Sequence, residues 1–429
     1  MDLKALHSIF LKCNSVCTDT RKIEKGDLFF ALKGDNFNGN LYAQEAIDKG
    51  AKYAVIDEET YVAENTIVVD NVLETLQKLA TYHREYLKTP IIALTGSNGK
   101  TTTKELINAV LSTQFKTSAT KGNLNNHIGV PLTLLSMTKD TEIGIVEMGA
   151  NHQKEIEFLC NIAFPDYGLI TNYGKAHLEG FGGVEGVIKG KSEMFLHLIK
   201  HNKTIFLNLN DPIQIKKAGK GNTFTFGKID THPEVSIDFV SSTPFVTSKY
   251  NNSIIESKLI GDYNFNNIAL AIAIGNYFKI EDNNIKSAIE SYTPTNNRSQ
   301  IIQKGSNKII LDAYNANPTS MRAALLNFEK QNGFKIAILG DMFELGKDAE
   351  AEHQHITNLA NSLNIDKIYL LGENFNISKV DSEKITQFKT FDDFKTANKS
   401  MRFKNSMILI KGSRGMALER VLDIPNLLE

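Results

Sequence analysis

Cysteine is scarce in this sequence. Its 429 residues include three cysteines, Cys13, Cys17 and Cys160, which is too few for a disulfide framework and is typical of a protein from a reducing compartment. Three residues separate Cys13 from Cys17, but no second pair of such ligands follows, so a structural zinc site is not indicated. We therefore expect a cytoplasmic protein.

Long apolar runs and an excess of one charge are also missing. No apolar stretch approaches the roughly 20 residues of a membrane span, and Asp2, Lys4 and His7 lie where a signal peptide would need its apolar core. Lys and Arg total 48 against 49 Asp and Glu, a net charge of −1, which argues against a nucleic-acid-binding surface over the whole chain. We expect no membrane span, no nucleic acid partner and a monomer.

Repeats, low-complexity segments and a Gly-x-Gly-x-x-Gly motif are absent too, so a dinucleotide site is not indicated. The length predicts two or three domains, and 41% hydrophobic residues are ample for their cores. Strand and helix patterns alternate, which predicts parallel, doubly wound sheets. Residues 222–260 alternate apolar and polar residues between turn signals, which suggests antiparallel strands at one edge. Boundaries are predicted near residue 88 and near Thr293.

The stretch around residues 90–105 is the segment around which we interpret the rest of the chain. Ile91 to Leu94 form a short apolar run typical of a strand buried on both faces. Two glycines and small polar residues follow, and a helix pattern begins near Thr101. A strand, a glycine loop and a helix start form a phosphate cradle, in which backbone N–H groups and the helix N-terminus attract anions. Lys100 would reach the outer phosphates, and the Thr101 hydroxyl would bind Mg²⁺.

This loop departs from the standard phosphate-loop pattern. Leu94 stands where that pattern has its first glycine, so the loop is the shorter Gly96-Ser-Asn-Gly99-Lys100-Thr101. The alternative is an ordinary strand-to-helix turn. Lys-Thr directly after a glycine favours phosphate binding, because turn chemistry alone does not require that pair.

Two further side chains follow predicted strand ends. Glu147 ends the apolar run that starts at Ile143, and His177 lies on a loop after the strand pattern at Tyr167. In open α/β sheets ligands bind at the carboxyl ends of the strands, so Glu147 is where a Mg²⁺-binding acid would lie. The alternatives are a surface glutamate at a strand end and a structural histidine.

Three polar loops follow three predicted strands in the last part of the chain. They begin at Tyr314, Gly340 and Lys411. Carboxyl ends of parallel strands meet at one edge of a sheet, which predicts a binding cleft there.

These motifs together resemble a known family. Thr95-Gly-Ser-Asn-Gly-Lys-Thr-Thr-Thr-Lys-Glu, Glu147-Met-Gly-Ala and Asn172-Tyr-Gly-Lys-Ala-His-Leu-Glu are similar to motifs of the ATP-dependent Mur ligases of peptidoglycan synthesis. Tyr314-Asn-Ala-Asn-Pro, Leu339-Gly-Asp-Met-Phe-Glu-Leu-Gly and Lys411-Gly-Ser-Arg-Gly-Met resemble the branch that joins D-alanyl-D-alanine to UDP-N-acetylmuramoyl-tripeptide. The resemblance covers nearly the whole chain, in the right order.

The resemblance implies an α/β fold with three domains and an activity. Residues 1–88 would be a small α/β domain that binds the uridine nucleotide, and residues 89–293 a phosphate-loop domain with a parallel sheet, an antiparallel edge and the ATP. Residues 294–429 would be a Rossmann-like, doubly wound domain for the dipeptide. The implied reaction is ATP-dependent amide formation through an acyl phosphate, with two Mg²⁺ ions.

The resemblance also implies roles for individual residues. Lys100, Glu147, His177 and Lys191 would be catalytic, and Lys191, carbamylated in the family, would join Thr101, Glu147 and His177 in holding metal. The residues implied for ATP are Gly96, Ser97, Asn98, Gly99, Lys100, Thr101, Thr102, Asn264, Asn267, Arg298 and Asp312. The residues implied for the other substrates are Thr20, Arg21, Phe37, Asn123, Asn125, Asn126, Tyr314, Asn315, Asn317, Asp341, Ser413 and Arg414. We call the loops around Thr20, Arg21 and Phe37, which the resemblance implies for the uridine nucleotide, the uridine loops. In these loops Asn40 replaces the histidine of many relatives.

The sequence is also compatible with other functions. A second ligase of the same superfamily, which adds the third peptide residue or polyglutamylates folate, would share the phosphate loop. The first of these usually carries an Asp-Asn-Pro motif that is not found here, and the second would lack Tyr314-Asn-Ala-Asn-Pro. A non-catalytic nucleotide-binding protein would bind ATP without substrate-dependent hydrolysis. The third residue of the tripeptide is not readable from the sequence.

Overall fold

Three sheets follow one another along the chain, each with its own helices. The computed structural model describes residues 2–295 and 297–428. The sheets have four, nine and six strands, and most neighbouring strands run parallel. The expected α/β class with three domains is confirmed.

The N-terminal domain has a four-stranded parallel sheet in the order β1-β2-β5-β6 and a separate two-stranded hairpin, β3-β4. Its strands are β1 Val16–Cys17, β2 Leu28–Phe30, β3 Lys33–Gly34, β4 Phe37–Asn38, β5 Tyr53–Ile56 and β6 Thr66–Val68. Its helices are α1 Leu3–Phe10, α2 Ala43–Asp48 and α3 Val72–Leu87. The Asn71 side chain caps α3 by accepting a hydrogen bond from the Glu74 amide, and α3 ends at Lys88, which has a left-handed backbone.

The central domain has nine strands in the order β15-β14-β13-β12-β11-β10-β7-β9-β8. They are β7 Ile91–Thr95, β8 Thr117–Ala119, β9 Ile143–Glu147, β10 Tyr167–Ile170, β11 Thr204–Asn208, β12 Thr223–Gly227, β13 Val235–Ser241, β14 Thr247–Tyr250 and β15 Ser253–Glu256. The helices are α4 Lys100–Leu111, α5 Gly129–Leu135, α6 Glu155–Ala163, α7 Leu178–Phe181, α8 Val184–Lys200, α9 Pro212–Ala218, α10 Phe265–Tyr277 and α11 Asp282–Ser291.

The antiparallel edge is smaller than the sequence suggests. Strand β12 pairs parallel with β11, and β13 pairs parallel with β12, so both continue the parallel sheet. Only the pairs β13–β14 and β14–β15 are antiparallel. The prediction of antiparallel strands throughout residues 222–260 is therefore wrong for the first half, because alternation reports which face is buried and not strand direction.

The C-terminal domain has six strands in the order β16-β17-β21-β18-β19-β20, of which only the edge pair β16–β17 is antiparallel. Its strands are β16 Gln300–Lys304, β17 Asn307–Asp312, β18 Phe334–Gly340, β19 Lys367–Leu371, β20 Ile385–Phe388 and β21 Ser406–Lys411. Its helices are α12 Pro318–Glu329, α13 Ala349–Ser362, α14 Glu373–Asn376 and α15 Phe391–Ala397.

Strand β7 lies between β10 and β9 in the central sheet and contributes side chains to two apolar cores. Ile91 and Ala93 pack into the core that includes α5 and α6, whereas Ile92 and Leu94 pack into the core that includes α4 and α10. All five residues of β7 are buried, as an apolar run covered by helices on both faces predicts. No helix in the described part of the chain is long and apolar enough to cross a membrane.

Candidate active site

A cavity of about 740 Å³ lies between the central and C-terminal domains. The carboxyl ends of β7, β9 and β10 open into it from one side, and those of β17 and β21 from the other. The predicted residues that line it are Ser97, Asn98, Gly99, Lys100, Thr101, Thr102, Asn123, Asn125, Asn126, Glu147, His177, Asn264, Asn267, Arg298, Asp312, Tyr314, Asn315 and Asn317. Two sheets therefore present their ligand-binding edges to one space, as the polar loops after both sets of strands predict.

The glycine loop between β7 and α4 has two positions at which a residue with a side chain would not fit. Gly96 and Gly99 have φ values of +144° and +80°. A Cβ on Gly96 would lie 2.0 Å from the Thr171 hydroxyl, and one on Gly99 would lie 2.5 Å from Asn267 Oδ1. Glycine is therefore required at both positions by backbone conformation and by space.

Lys100 begins α4 and turns back over this loop. Its Nζ donates to the Gly96 carbonyl at 2.7 Å. Lys100 is partly buried, and the loss of solvent around its ammonium lowers the pKa of Lys100, while the nearby Glu147 charge opposes the shift. The ammonium thus lies at the mouth of the phosphate cradle, next to the N-terminus of α4.

Glu147 ends β9 and faces α4 directly. The Thr101 hydroxyl donates to Glu147 Oε2 at 3.0 Å, and Asn125 Nδ2 donates to Oε1 at 2.8 Å. The Glu147 amide in turn donates to the Thr120 hydroxyl at 3.0 Å. A hydroxyl and a carboxylate oxygen on one wall are oxygen ligands of the type that Mg²⁺ prefers, so Thr101 and Glu147 fit the predicted metal.

His177 lines the cavity but lies against the C-terminal domain. Its Nδ1 is 2.5 Å from a carboxylate oxygen of Glu344, and this close contact lowers the pKa of Glu344. The Glu179 amide donates to the Glu344 carbonyl at 3.3 Å. The predicted metal histidine is thus held by an acid from the other domain. Within residues 2–295 and 297–428 no three His, Cys, Asp or Glu side chains cluster as a metal site.

Lys191 does not line the cavity. It is fully buried on α8, where Nζ donates to the Ala150 carbonyl at 3.0 Å and lies 5.0 Å from the centre of the Phe181 ring. Burial, with Lys100 nearby, lowers the pKa of Lys191 well below its usual value. The charges of Glu155 and Glu193 oppose this lowering, but in the described chain no carboxylate forms an ion pair with the lysine.

The side of the cavity formed by the start of α10 and the first strands of the C-terminal domain carries the residues predicted for adenine and ribose. Asn267 Nδ2 donates to Asn264 Oδ1 at 2.8 Å, and both are buried. The guanidinium of Arg298 stacks over Tyr314 at 3.6 Å from the ring centre. Asp312 accepts a hydrogen bond from the Ser299 amide at 3.0 Å.

Three residues predicted for the dipeptide pocket do not line the cavity. Asp341 accepts hydrogen bonds from the amides of Asn374 and Phe375, both at 2.9 Å, so its carboxylate caps the start of α14. Ser413 accepts from the Phe343 amide at 2.9 Å, and Arg414 pairs with a glutamate on its own segment. Of these, Ser413 fixes the loop that carries Phe343, which does line the cavity.

The residues predicted for the uridine nucleotide lie on the N-terminal domain, outside this cavity. Arg21 pairs with Asp19 at 2.8 Å while most of its side chain is exposed, and Thr20 belongs to the same short turn. Phe37 is 53% exposed and stacks on Tyr42 with 5.3 Å between ring centres. Asn40 is buried and donates to Asp57 at 2.9 Å, so it holds the fold of this region.

Sequence reasoning missed two polar contacts at the cavity, one within the C-terminal wall and one between the two walls. Lys411 ends β21, lines the cavity and pairs with Asp312 at 2.6 Å while it is 2% exposed. Asn317 Nδ2 donates to Asn98 Oδ1 at 2.7 Å, which joins α12 to the glycine loop. A lysine at a strand end was a signal for the first contact, whereas the second requires the relative placement of two domains.

Family models match three successive parts of the chain. Residues 12–84 match the Mur ligase family catalytic domain, residues 94–275 the Mur ligase middle domain, and residues 297–414 the Mur ligase glutamate ligase domain. These ranges agree with the three sheets and cover most of the chain.

Curated relatives and solved structures agree with the family models. The chain is 35% identical to UDP-N-acetylmuramoyl-tripeptide–D-alanyl-D-alanine ligase of Bacillus subtilis, over 95% of this chain and 92% of the relative. It is 32% identical to the Escherichia coli ligase of the same name, over 95% and 93%. A crystal structure of MurF from Acinetobacter baumannii superposes with a TM-score of 0.84 at 28% identity, covering 98% and 97% of the two chains. MurF from Thermotoga maritima in complex with ADP gives 0.83 at 28% identity, covering 97% of each.

Proposed function

The chain belongs to the Mur ligase family, and we propose that it joins D-alanyl-D-alanine to UDP-N-acetylmuramoyl-tripeptide at the expense of ATP. The products are the UDP-N-acetylmuramoyl-pentapeptide, ADP and phosphate. The observation that carries the proposal is the grouping of Lys100, Thr101 and Glu147 in a cavity to which two sheets contribute their carboxyl ends. Such a cavity can bring a triphosphate and two anionic or zwitterionic substrates together.

The chemistry requires two steps. An oxygen of the terminal tripeptide carboxylate attacks the γ-phosphorus of ATP, the bond to ADP breaks, and an acyl phosphate forms. The amine of D-alanyl-D-alanine then attacks the acyl carbon, loses a proton, and expels phosphate. Because the first step brings two anions together, cationic and N–H groups must lie between them. Lys100 and the start of α4 provide these groups on one side of the cavity.

We assign the metal to Thr101 and Glu147 first. Mg²⁺ held there supplies positive charge to the phosphate oxygens. His177 and Lys191 are proposed for a second ion, with Lys191 as a carbamate, because the buried amine with its lowered pKa is nucleophilic toward carbon dioxide. Carbon NMR after incubation with labelled bicarbonate tests the carbamate. A labelled carbamate signal is expected in the native enzyme and not in Lys191→Ala.

We propose that the three domains divide the substrates. Residues 1–88 would hold the uridine nucleotide, residues 89–293 ATP, and residues 294–429 the dipeptide. Asn123, Asn125 and Asn126 would face the sugar and the reacting carboxylate, and Tyr314 and Asn315 the dipeptide. The contacts between the central and C-terminal domains support a closed reacting state that keeps water from the acyl phosphate. We place the reaction in the cytoplasm, with a monomeric enzyme.

Phosphate release in the presence of ATP, Mg²⁺, UDP-N-acetylmuramoyl-tripeptide and D-alanyl-D-alanine tests the proposal. Release is expected only when all substrates are present, with formation of the pentapeptide by mass spectrometry. Turnover with a single amino acid but not with the dipeptide would contradict it, as would ATP binding without substrate-dependent hydrolysis.

A further inference from the structure

Three loops meet at one point between the central and C-terminal domains, which we call the loop junction. It consists of Ser97 and Asn98 in the glycine loop, Gly174 and Lys175 after β10, and residues 317–319 at the start of α12. The Ser97 hydroxyl donates to the Gly174 carbonyl at 2.7 Å, so the first two loops form one unit within the central domain. Two hydrogen bonds then join this unit to α12.

The first of these bonds runs from Asn317 to the glycine loop. Asn317 Nδ2 donates to Asn98 Oδ1 at 2.7 Å. The other end of the same side chain accepts from the Ser320 amide at 2.9 Å and caps α12. One side chain therefore fixes the start of a C-terminal helix and reaches the loop that must cradle phosphate.

The second bond runs from the loop after β10 to Thr319. The Lys175 amide donates to the Thr319 hydroxyl at 2.9 Å. The Lys175 side chain pairs with Glu352 on α13 at 2.5 Å. A Cβ on Gly174 would lie 2.8 Å from Asn98 Nδ2 and 3.2 Å from Thr319, so the junction leaves no room for a larger residue there.

The contact from Asn317 reaches the glycine loop from outside its own domain. Among the described residues of the central domain, the hydrogen bonds to Asn98 involve its backbone: its amide donates to Asn172 Oδ1 at 3.2 Å, and its carbonyl accepts from the Thr171 hydroxyl at 2.6 Å. The direction of its side chain is set by Asn317. Seating of the C-terminal domain thus bears on the direction of the Asn98 side chain, which lies in the loop between Gly96 and Lys100.

We propose that Asn317 and Thr319 are positioning residues that couple seating of the C-terminal domain to the arrangement of the glycine loop competent for phosphoryl transfer. This inference rests on the proposed ligase function. It assigns to Asn317 a role at the phosphate loop instead of in the dipeptide pocket. ATP binds the central domain whether or not the junction forms, and transfer of its γ-phosphoryl group becomes fast only when the junction is closed.

Two conservative variants test the coupling. In Asn317→Ser the serine still caps α12, since serine is a favourable N-cap residue, but it is too short to reach Asn98. In Thr319→Val the shape is kept and the acceptor for the Lys175 amide is lost. In each variant kcat is expected to fall about five- to tenfold, the effect of one lost hydrogen bond. The KM values for ATP and for the dipeptide are expected to stay within about threefold of the native values.

Matched controls lie in the N-terminal domain. Asn71 caps α3 through the same kind of bond to a backbone amide, and Thr66 accepts from the Ala63 amide at 2.9 Å. Asn71→Ser and Thr66→Val therefore repeat the two substitutions away from the junction and are expected to retain native kcat. Equal losses in the controls would mean that the effect is one of general stability, and would overturn the inference.

Amide hydrogen exchange provides a readout that does not depend on turnover. Exchange in the segment 172–178 is expected to rise at least about fivefold in Thr319→Val, because the Lys175 amide loses its acceptor. Unchanged exchange of segment 172–178 in Thr319→Val would show that the hydrogen bond of the loop junction does not form. A kcat within twofold of the native value in both variants would overturn the coupling. A raised KM for the dipeptide with a native kcat in Asn317→Ser would indicate that Asn317 acts in the dipeptide pocket and not at the glycine loop. A native enzyme that does not ligate the dipeptide overturns the proposed function and the coupling with it, while exchange at Lys175 still decides whether the junction exists.

Discussion

The phosphate cradle and the uridine loops were both predicted to bind a nucleotide, yet they are built differently. In the cradle, Lys100 and Glu147 are buried or enclosed, and each is held by hydrogen bonds to neighbouring elements. On the N-terminal domain, Phe37 is half exposed, and Arg21 is largely exposed and pairs with Asp19, two residues before it. The cradle is preorganised by these contacts, whereas the N-terminal loops present an exposed surface. The difference predicts that substitutions in the phosphate cradle change the turnover rate, and that substitutions in the N-terminal loops change the affinity for the uridine substrate.

Lys100→Met should give the largest effect. Removing the ammonium from the cradle takes away a fixed cation where charge develops, and turnover should fall about 10²–10³-fold. Phosphate release at saturating substrates measures it. Lys116→Met, at an exposed position after the same helix, is the control and should keep native turnover. A native rate for Lys100→Met would remove the cradle from the mechanism.

Lys191→Ala should come next and should lower turnover about 100-fold. Bicarbonate should not restore activity, because the amine that would form the carbamate is gone, whereas short carboxylates should restore part of it. Lys189→Ala removes an exposed lysine two residues earlier on α8 and should be neutral. Comparable rates for the two variants would exclude Lys191 from the site.

Phe37→Ala should have a smaller effect of another kind. Loss of a stacking face costs about 1 kcal/mol, so the KM for the uridine substrate should rise about fivefold while kcat remains native. Val62→Ala, at another exposed apolar position of the same domain, should change neither. If Phe37→Ala lowered kcat as Lys100→Met does, the contrast between a rate-setting cradle and an affinity-setting surface would not hold.

The smallest effect concerns stability, at the contact of α1 with α3. His7 Nε2 and His83 Nδ1 are 3.0 Å apart, and His83 Nε2 is 3.0 Å from the Met137 carbonyl. Burial lowers the pKa of both histidines. Below pH about 6.5 the unfolded chain therefore binds protons that the folded chain does not, and the free energy of unfolding falls.

Urea denaturation at pH 7.5 and pH 5.5 measures this loss. In His83→Gln the loss should shrink by about 1 kcal/mol, because the pair that protonation breaks is absent. The exposed His355→Gln is the control and should keep the native pH dependence. An unchanged pH dependence in His83→Gln would show that other groups cause it. The Tyr82 and Tyr86 rings also pack on His7, and Lys139 lies over Tyr86.

Local patterns predicted the elements well. The strand, glycine loop and helix start predicted around residues 90–105 are confirmed as β7, the loop that follows it and α4. Strand direction in residues 222–260 was not predictable, because a period of two residues is common to parallel and antiparallel strands.

Contacts between domains were beyond the reach of sequence patterns. His177 was predicted from its place after β10, but its pairing with Glu344 depends on how the C-terminal domain is seated. Asp341 lies in a polar loop at the expected edge, yet its carboxylate is used to cap α14. Motifs thus predict which loops reach the cavity more reliably than which side chains in a loop face it.

Helix α3 has a consequence for how the chain can be divided. By sequence it ends the first domain, but it packs on α5 and α6 of the second, and Leu76 and Leu79 share one apolar core with Leu134 and Leu159. Cutting the chain after residue 88 would expose apolar surface on both pieces. We therefore expect the two fragments to aggregate when produced separately and to recover solubility when co-expressed. Recombination between relatives should succeed more often with a crossover before Val72 than with one at the apparent boundary.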